Sequence, residues 1–299
     1  IKADVQKDGG VTIPAKRFAD IIRELPNGDI EIKADETKQI NIKSAKSKFT
    51  LMGIDKKEYP TLPEFPKENI IKIPAAVLNS LLKKTLFAVS KDEQRYVLNG
   101  VFLIIDKGEI KAVSTDGRRL AYICEKGLDA KISGKSIIPT KAVADILRLI
   151  SLNESVEELT LGFSDNQIAV EIGDITFQAN LIEGVFPNYE QVIPKKSNSK
   201  IKIKTEDMMA AVKQMAPLTS GKIASDKTSA IKLSFEKNRL AISANTAGLG
   251  SGETEIEIEY GGDQIDINFN PNYIKDILQN IEEPNVVFSY TTSQNPVVL

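Results

Sequence analysis

The 299-residue chain contains no histidine, no tryptophan and one cysteine, Cys124. The lack of histidine excludes a Ser-His-Asp triad, a Cys-His pair and a metal site with histidine ligands. The single cysteine excludes an internal disulfide and a cysteine cluster, and it fits a reducing, cytoplasmic location. No apolar run approaches the ~18 residues of a membrane span, and no signal peptide is visible. We therefore expect no metal, no cofactor and no association with a membrane.

Charge of one sign is not in excess either. Lysine and arginine total 39, aspartate and glutamate total 41, and the formal net charge is -2. A cationic coat over the whole chain is therefore excluded, and any basic surface for nucleic acid is local and offset by acids elsewhere. Apolar residues make up 41% of the chain, which is enough for real hydrophobic cores. Length alone suggests about two domains.

A repeated motif organises the chain. Three segments place an early proline before apolar residues spaced i, i+3, i+4 and i+7; they begin at residues 13, 138 and 270. This spacing is typical of an amphipathic helix with one buried stripe, and proline suits the first turn of a helix. Two more helices share the pattern, and the five stripes begin at Phe18, Leu78, Val143, Met208 and Ile274. Their spacings of 60, 65, 65 and 66 residues define a unit of about 65 residues.

Short alternating or β-branched runs between these helices, punctuated by Gly, Asn and Asp, predict antiparallel strands. Each unit therefore contains one helix and three or four strands, and two units cover each other's helices in one α+β domain. Proline-rich segments at 59–66 and 186–194 and a polar segment at 196–200 mark the boundaries. The predicted domains are 1–66, 67–195 and 196–299. The first holds one unit, and each of the others holds two.

Three recurring aspartates raise the alternative of an enzyme. Asp20, Asp145 and Asp276 each lie beside an apolar stripe, and they would suit a carboxylate-dependent hydrolase on a repeated α+β scaffold. A solvated helix face explains them better, because three copies in separate domains do not converge on one site. The glycine-rich segment 247–252 is interpreted as a hairpin rather than a phosphate loop, because no Lys-Ser/Thr follows it. Cys124 is interpreted as a small buried residue rather than a nucleophile.

The basic residues repeat with the helices. Lys16 and Arg23 are seven residues apart on one helix, and Lys141 and Arg148 repeat that spacing at equivalent positions. Residues at this spacing share a helix face. Ordinary solvation is one explanation. The other is a set of equivalent helices that turn one basic face toward phosphates, with salt-sensitive and sequence-independent binding.

Three motifs carry a resemblance to a known family. Val97-Leu98-Asn99-Gly100-Val101, Ser114-Thr115-Asp116-Gly117-Arg118-Arg119-Leu120-Ala121 and Glu183-Gly184-Val185-Phe186-Pro187-Asn188-Tyr189 closely resemble the bacterial DNA polymerase III beta subunit, the sliding clamp. The resemblance covers essentially the whole chain in order. It implies three clamp domains, a head-to-tail homodimer closed into a ring around duplex DNA, and no catalytic chemistry. The first domain is then short by about half, and the final strands and C-terminal tail of the third domain are also missing.

The resemblance also implies partners and sites. The partners are double-stranded DNA, the replicative polymerase, the clamp loader and other proteins with clamp-binding motifs. By this resemblance, the residues that form the partner-peptide pocket are Thr115, Gly117, Arg118, Leu120, Pro187, Val192, Asn270 and Tyr273. The DNA-facing positions are Lys16, Arg23, Lys91, Arg95, Tyr96, Lys141, Arg148 and Lys227. Phe49 and Leu51 are expected to meet Ile223 of a second copy in a heterologous contact.

Overall fold

The structure is a computed structural model that describes residues 3–60, 64–66, 68–128, 132–195, 197, 199–219 and 230–299. The chain divides into two compact units, Ile1–Glu64 and Phe65–Leu299.

The first unit contains one α-helix, a short 3-10 helix (Lys56–Glu58) and two small antiparallel sheets in its described residues. In chain order its elements are β1 (Val11–Thr12), α1 (Ala15–Glu24), β2 (Glu31–Ala34), β3 (Gln39–Ser44), β4 (Ser47–Met52) and β5 (Ile54–Asp55). Strands β2, β3 and β4 form one sheet in that order, and β1 pairs with β5. Ile40 and Ile42 alternate with exposed residues along β3 and are buried, so one face of this sheet holds the small core of the unit.

The apolar stripe of α1 is not buried within this unit. Phe18, Ile21 and Ile22 are only half-buried, and no residue of the helix is buried. The prediction of a buried stripe is wrong for this helix in the first unit. A stripe of this kind becomes buried when a second helix or a sheet lies across it, and the described part of the unit supplies no second α-helix.

The second unit begins with a central lobe, which we define as residues 70–193. Its elements are β6 (Ile70–Pro74), α2 (Ala75–Leu86), β7 (Gly100–Asp106), β8 (Glu109–Thr115), β9 (Leu120–Lys126), β10 (Gly134–Pro139), α3 (Thr140–Leu152), β11 (Glu158–Phe163), β12 (Gln167–Ile172) and β13 (Ile175–Asn180). The strands form two antiparallel sheets, β10-β7-β8-β9 and β13-β12-β11-β6. The stripe residues Leu78, Leu82 and Val143 are fully buried in the core of the lobe.

The C-terminal lobe, which we define as residues 199–299, repeats this plan. Its elements are β14 (Ser199–Lys204), α4 (Thr205–Met215), β15 (Ile231–Glu236), β16 (Arg239–Thr246), β17 (Gly250–Glu257), β18 (Ile265–Phe269), α5 (Pro271–Leu278) and β19 (Asn285–Tyr290). The described strands form the sheets β17-β16-β15-β18 and β14-β19.

Aromatic rings fill the core of the C-terminal lobe. Phe235 is completely buried and packs against the rings of Tyr260, Phe288 and Tyr290 at centroid distances of 6.0–6.3 Å. The hydroxyl groups of Tyr260 and Tyr290 lie 2.6 Å apart. Burial and this hydrogen bond raise the pKa of Tyr260 to about 12. This core is separate from the core of the central lobe, so each lobe has its own packed interior.

The structure confirms most of the predicted elements. All five stripes fall on helices, and the α+β fold class is correct. The glycine-rich segment 247–252 lies in the β16–β17 hairpin, as predicted. The interpretation of Cys124 as a buried residue is wrong, because it lies half-buried within the edge strand β9. None of the helices in the described residues combines the length and hydrophobicity of a membrane-spanning helix.

Candidate functional site

The β8–β9 turn is fixed by its own side chains. The Thr115 hydroxyl donates to the Arg119 carbonyl at 2.6 Å and accepts the Gly117 N–H at 3.0 Å. One oxygen of Asp116 accepts the N–H groups of Arg118 and Arg119 at 2.9 and 3.0 Å. Gly117 has a φ of +85°, a conformation that favours glycine. The turn therefore presents its exposed residues in one defined shape.

Arg119 contacts residues on both lobes from this turn. Its Nε donates to the second oxygen of Asp116 at 3.1 Å, its Nη1 to Asp276 at 2.7 Å and its Nη2 to the Phe87 carbonyl at 2.7 Å. The guanidinium carbon also lies 4.6 Å from the ring centre of Tyr273 and 5.5 Å from that of Phe87, within cation–π range. Only 13% of the Arg119 side chain is exposed. One arginine thus joins the central lobe to α5 of the C-terminal lobe.

This contact brings together pocket residues that the sequence predicted separately. Gly117 lies in the turn between Thr115, which ends β8, and Leu120, which begins β9. Tyr273 stacks on the guanidinium of Arg119. Asn270 caps the start of α5 through its side chain, which accepts the Asn272 N–H at 2.9 Å. Tyr273 lies one turn further along the same helix.

Pro187 and Val192 lie in the segment that follows the last strand of the central lobe. Both are exposed, and 56% of Val192 is accessible. The segment is anchored by Phe186 and Tyr189, which are buried in a cluster that Leu120 also packs against. The Phe186 ring stacks on Phe102 of β7 at 4.7 Å, and the Tyr189 ring stacks on Tyr122 of β9 at 6.0 Å. The structure therefore connects both residues to the strand that begins at Leu120.

Exposed apolar side chains lie within this segment and beside it. Val185 is 88% exposed and Tyr122 is 45% exposed, and neither was predicted from the sequence. Exposed apolar surface near fixed polar groups is typical of a protein-interaction site.

The predicted DNA-facing loop touches the β8–β9 turn. Arg95 and Tyr96 lie in a 3-10 segment, Glu93–Leu98, and Tyr96 is 58% exposed. The Arg95 side chain turns to the β8–β9 turn, where its Nη1 donates to the Asp116 carbonyl at 3.3 Å. Its Nε also lies 3.5 Å from Asp92. The sequence could not reveal that this predicted DNA contact borders the predicted peptide pocket.

The other basic positions of the second unit lie on the surface. Lys141 and Arg148 are exposed along α3, and neither forms an ion pair within the described chain. Lys91, Tyr96 and Lys141 line a cavity of about 470 Å³ at the start of α3. In the first unit, Lys16 and Arg23 are exposed on α1, and Arg23 lies 3.4 Å from Asp20. Lys227 lies outside the described residues.

The predicted subunit-interface residues are only partly described. Phe49 is 37% exposed and Leu51 is half-buried; both lie on β4, an edge strand. Ile223 lies outside the described residues.

The three recurring aspartates have different local settings. Asp276 pairs with Arg119 and Asp20 with Arg23, while Asp145 lies on α3. For Asp276, the interpretation as a solvated helix face is wrong, because its carboxylate holds Arg119 between the lobes. Among the described residues, no group of three or more His, Cys, Asp or Glu could hold a metal ion. The hydrolase alternative has no support.

Sequence reasoning also missed Arg119 itself. Two consecutive arginines follow Gly117, and the resemblance selected the exposed Arg118. Only the folded chain brings Asp276, 157 residues away, to the second arginine.

Two lobes of paired helices and antiparallel sheets, joined across a small polar and aromatic contact, have the architecture of a DNA clamp. The chain matches the DNA polymerase III beta subunit over its N-terminal domain (residues 1–63), central domain (72–188) and C-terminal domain (190–299). It is 34% identical to the beta sliding clamp of Chlamydia pneumoniae over 299 residues, which are 100% of this chain and 80% of the relative.

Solved structures agree with this match. The DNA polymerase III subunit beta from Pseudomonas aeruginosa superposes with a TM-score of 0.90 at 29% identity, covering 99% of this chain and 80% of that one. A sliding clamp from Bartonella birtlesii bound to griselimycin has a TM-score of 0.87 at 30% identity, covering 99% and 79%. The chain belongs to the DNA polymerase III beta subunit family, the sliding clamps of DNA replication. These proteins are non-catalytic processivity factors.

Proposed function

We propose that the chain works in the cytoplasm as a ring-shaped homodimer that encircles duplex DNA without reading its sequence. It tethers the replicative polymerase, and the clamp loader and other proteins with clamp-binding motifs dock on the same pocket. The observation that carries this proposal is the contact between the β8–β9 turn and α5, through Arg119 and Tyr273. Family membership supports the tether, and no catalytic step is required of the chain. The domains we propose are 1–66, 67–195 and 196–299.

The pocket combines fixed polar groups with apolar walls. Thr115 and Gly117 supply a rigid turn, and Arg118 projects from its exposed side. Leu120 and Val192 supply apolar surface that suits the anchor side chains of a short linear peptide. Asn270 and Tyr273, at the start of α5, and Pro187 complete the proposed wall.

The DNA contact is electrostatic. Lys141 and Arg148 are exposed on α3, and Lys16 and Arg23 are exposed on α1 at the same spacing. Lys91 and Tyr96 flank the start of α3, and we include Lys227 and Arg95 in the same set. Contacts of this kind neutralise phosphates and carry no base information, so the ring slides rather than settles at one sequence.

The homodimer contact involves edge strands. In the described chain, β4 and β17 each lie at the edge of a sheet and have one unpaired side, which is a template for pairing with another chain. Lys48 neighbours Phe49 on β4, whereas Glu253 and Glu255 are exposed on β17. Opposite charge and unpaired backbone favour a head-to-tail contact in which Phe49 and Leu51 of one copy meet Ile223 of the other.

Primer extension tests the tether. On a singly primed circular template, with clamp loader, polymerase and excess challenge DNA, the chain should lengthen the products made in one binding event. Arg118→Ala should shorten these products again, because it removes a polar group of the pocket. Lys237→Ala removes an exposed charge from the β15–β16 hairpin and should behave as wild type. Product lengths that do not respond to the chain would refute the proposal.

A further inference from the structure

The contact between the two lobes has a buried centre and an exposed margin. The margin is an ion pair in which Glu282 lies 3.5 Å from Lys83 and 3.9 Å from Lys84. Glu282 is 69% exposed at its side chain, and exposed pairs of this kind contribute little. The centre is Arg119, with 13% exposure and partners on both lobes.

The geometry around Arg119 requires a guanidinium. Its three nitrogen atoms donate in three directions, to Asp116, to Asp276 and to the Phe87 carbonyl. A flat cation also lies over the Tyr273 ring at 4.6 Å. A lysine ammonium has the charge but neither the rigid fork nor the planar face that these contacts use.

The same contacts position the proposed pocket. Asp116 holds Arg119 and also caps the turn by accepting the N–H groups of Arg118 and Arg119. On the opposite side, Tyr273 is the α5 wall of the pocket. Each lobe has its own core, and the Arg119 contacts directly link this turn to this tyrosine.

We infer that Arg119 is a positioning residue that locks the C-terminal lobe against the β8–β9 turn and so assembles the partner-peptide pocket from two lobes. The inference rests on the proposed function. Arg119 acts through Tyr273 and the turn rather than by touching the peptide. The lock has two halves, the Asp116 contact within the central lobe and the Asp276 contact between lobes.

The test compares peptide affinity among folded variants. A fluorescein-labelled clamp-binding peptide with apolar anchor residues is titrated with wild type, Arg119→Lys and Asp276→Asn. We expect Arg119→Lys to weaken binding at least tenfold and Asp276→Asn by about threefold, since the latter removes only the ionic inter-lobe contact. Arg239→Lys is the matched control, because Arg239 makes similar contacts with Glu236 and Glu255 on β15 and β17. It should bind within twofold of wild type.

A second readout detects the position of the α5 wall without peptide. The chain has no tryptophan, so Tyr273→Trp introduces a single reporter beneath the guanidinium. Adding Arg119→Lys to this reporter should shift its emission to the red and raise its quenching by acrylamide. Adding Arg239→Lys should change neither property.

Each outcome decides the inference. Wild-type affinity for Arg119→Lys would overturn it, and so would weaker binding with an unchanged reporter, which would indicate direct contact with the peptide. If Arg119→Lys fails to fold, the peptide affinity and the tryptophan fluorescence of Asp276→Asn test the inference instead. If wild type does not bind the peptide, the proposed pocket is wrong, while the reporter still tests the lock between lobes.

Discussion

Replacing Gly117 with alanine tests the shape of the β8–β9 turn. Gly117 has a φ of +85°, and a Cβ added there would lie 2.8 Å from Nη1 of Arg95. The left-handed conformation costs a non-glycine residue roughly 1–2 kcal/mol. The new methyl group also displaces Arg95 from the Asp116 carbonyl, and loss of that partly exposed hydrogen bond costs a further ~0.5–1 kcal/mol.

Gly127→Ala is the matched control. Gly127 has nearly the same φ, +84°, but a Cβ there would meet nothing within 4 Å. Both variants should lose roughly 1–2 kcal/mol from backbone strain, and Gly117→Ala should lose ~0.5–1 kcal/mol more. Urea unfolding followed by circular dichroism measures this difference.

Peptide binding separates the two variants further. Because the turn supplies Thr115 and Arg118 to the proposed pocket, Gly117→Ala should weaken peptide affinity about tenfold, or ~1.4 kcal/mol. Gly127→Ala should leave it unchanged. Fluorescence anisotropy with a labelled clamp-binding peptide gives both affinities. If Gly117→Ala binds as tightly as Gly127→Ala, the turn does not form the pocket and the assignment fails.

Three other predictions concern charge, packing and acid stability. Replacing Lys141 and Arg148 together by alanine should reduce the slope of log K against log salt, measured on a short linear duplex, by about 1.8 per chain; an unchanged slope would place both residues away from DNA. Phe235→Ala should destabilise the C-terminal lobe by about 3–5 kcal/mol in urea unfolding, because its ring is completely buried among three other aromatic rings. A loss of stability below ~1 kcal/mol would contradict this packing. Hydrogen bonds from Lys111 and Lys126 lower the pKa of Glu109 from 4.5 to about 2, so its stabilising contribution is present above pH 4.5 and is lost as pH falls through 2. Glu109→Gln should make the free energy of unfolding less dependent on pH across that window, and a pH profile parallel to that of wild type would refute the shift.

Local patterns predicted the helices well. The apolar spacing and early prolines at 13–23 and 138–148 describe short-range physics that is complete within one element, and α1 and α3 begin directly after Pro14 and Pro139. What covers a helix is not local. The stripe of α1 stays half-exposed within the first unit, although its pattern matches that of the well-buried α3.

The inter-lobe contact was beyond sequence reasoning for a related reason. Arg118 and Arg119 are chemically identical, and only the turn geometry sends one outward and the other toward Asp276. Arg95, which the resemblance implies to be a DNA-facing residue, also donates a hydrogen bond to the Asp116 carbonyl, and no local pattern predicted that contact. In both cases the decisive partner lies more than 20 residues away, where no local spacing rule applies.

Retention on DNA of different topology tests whether the chain holds DNA by encircling it. The chain is loaded on nicked circular DNA, passed through gel filtration at high salt, and compared with a sample linearised after loading. A ring that holds DNA by encircling it should remain on the circle and slide off the linear ends, because its phosphate contacts are screened by salt. Equal loss from circular and linear DNA would show that the chain does not hold DNA by encircling it.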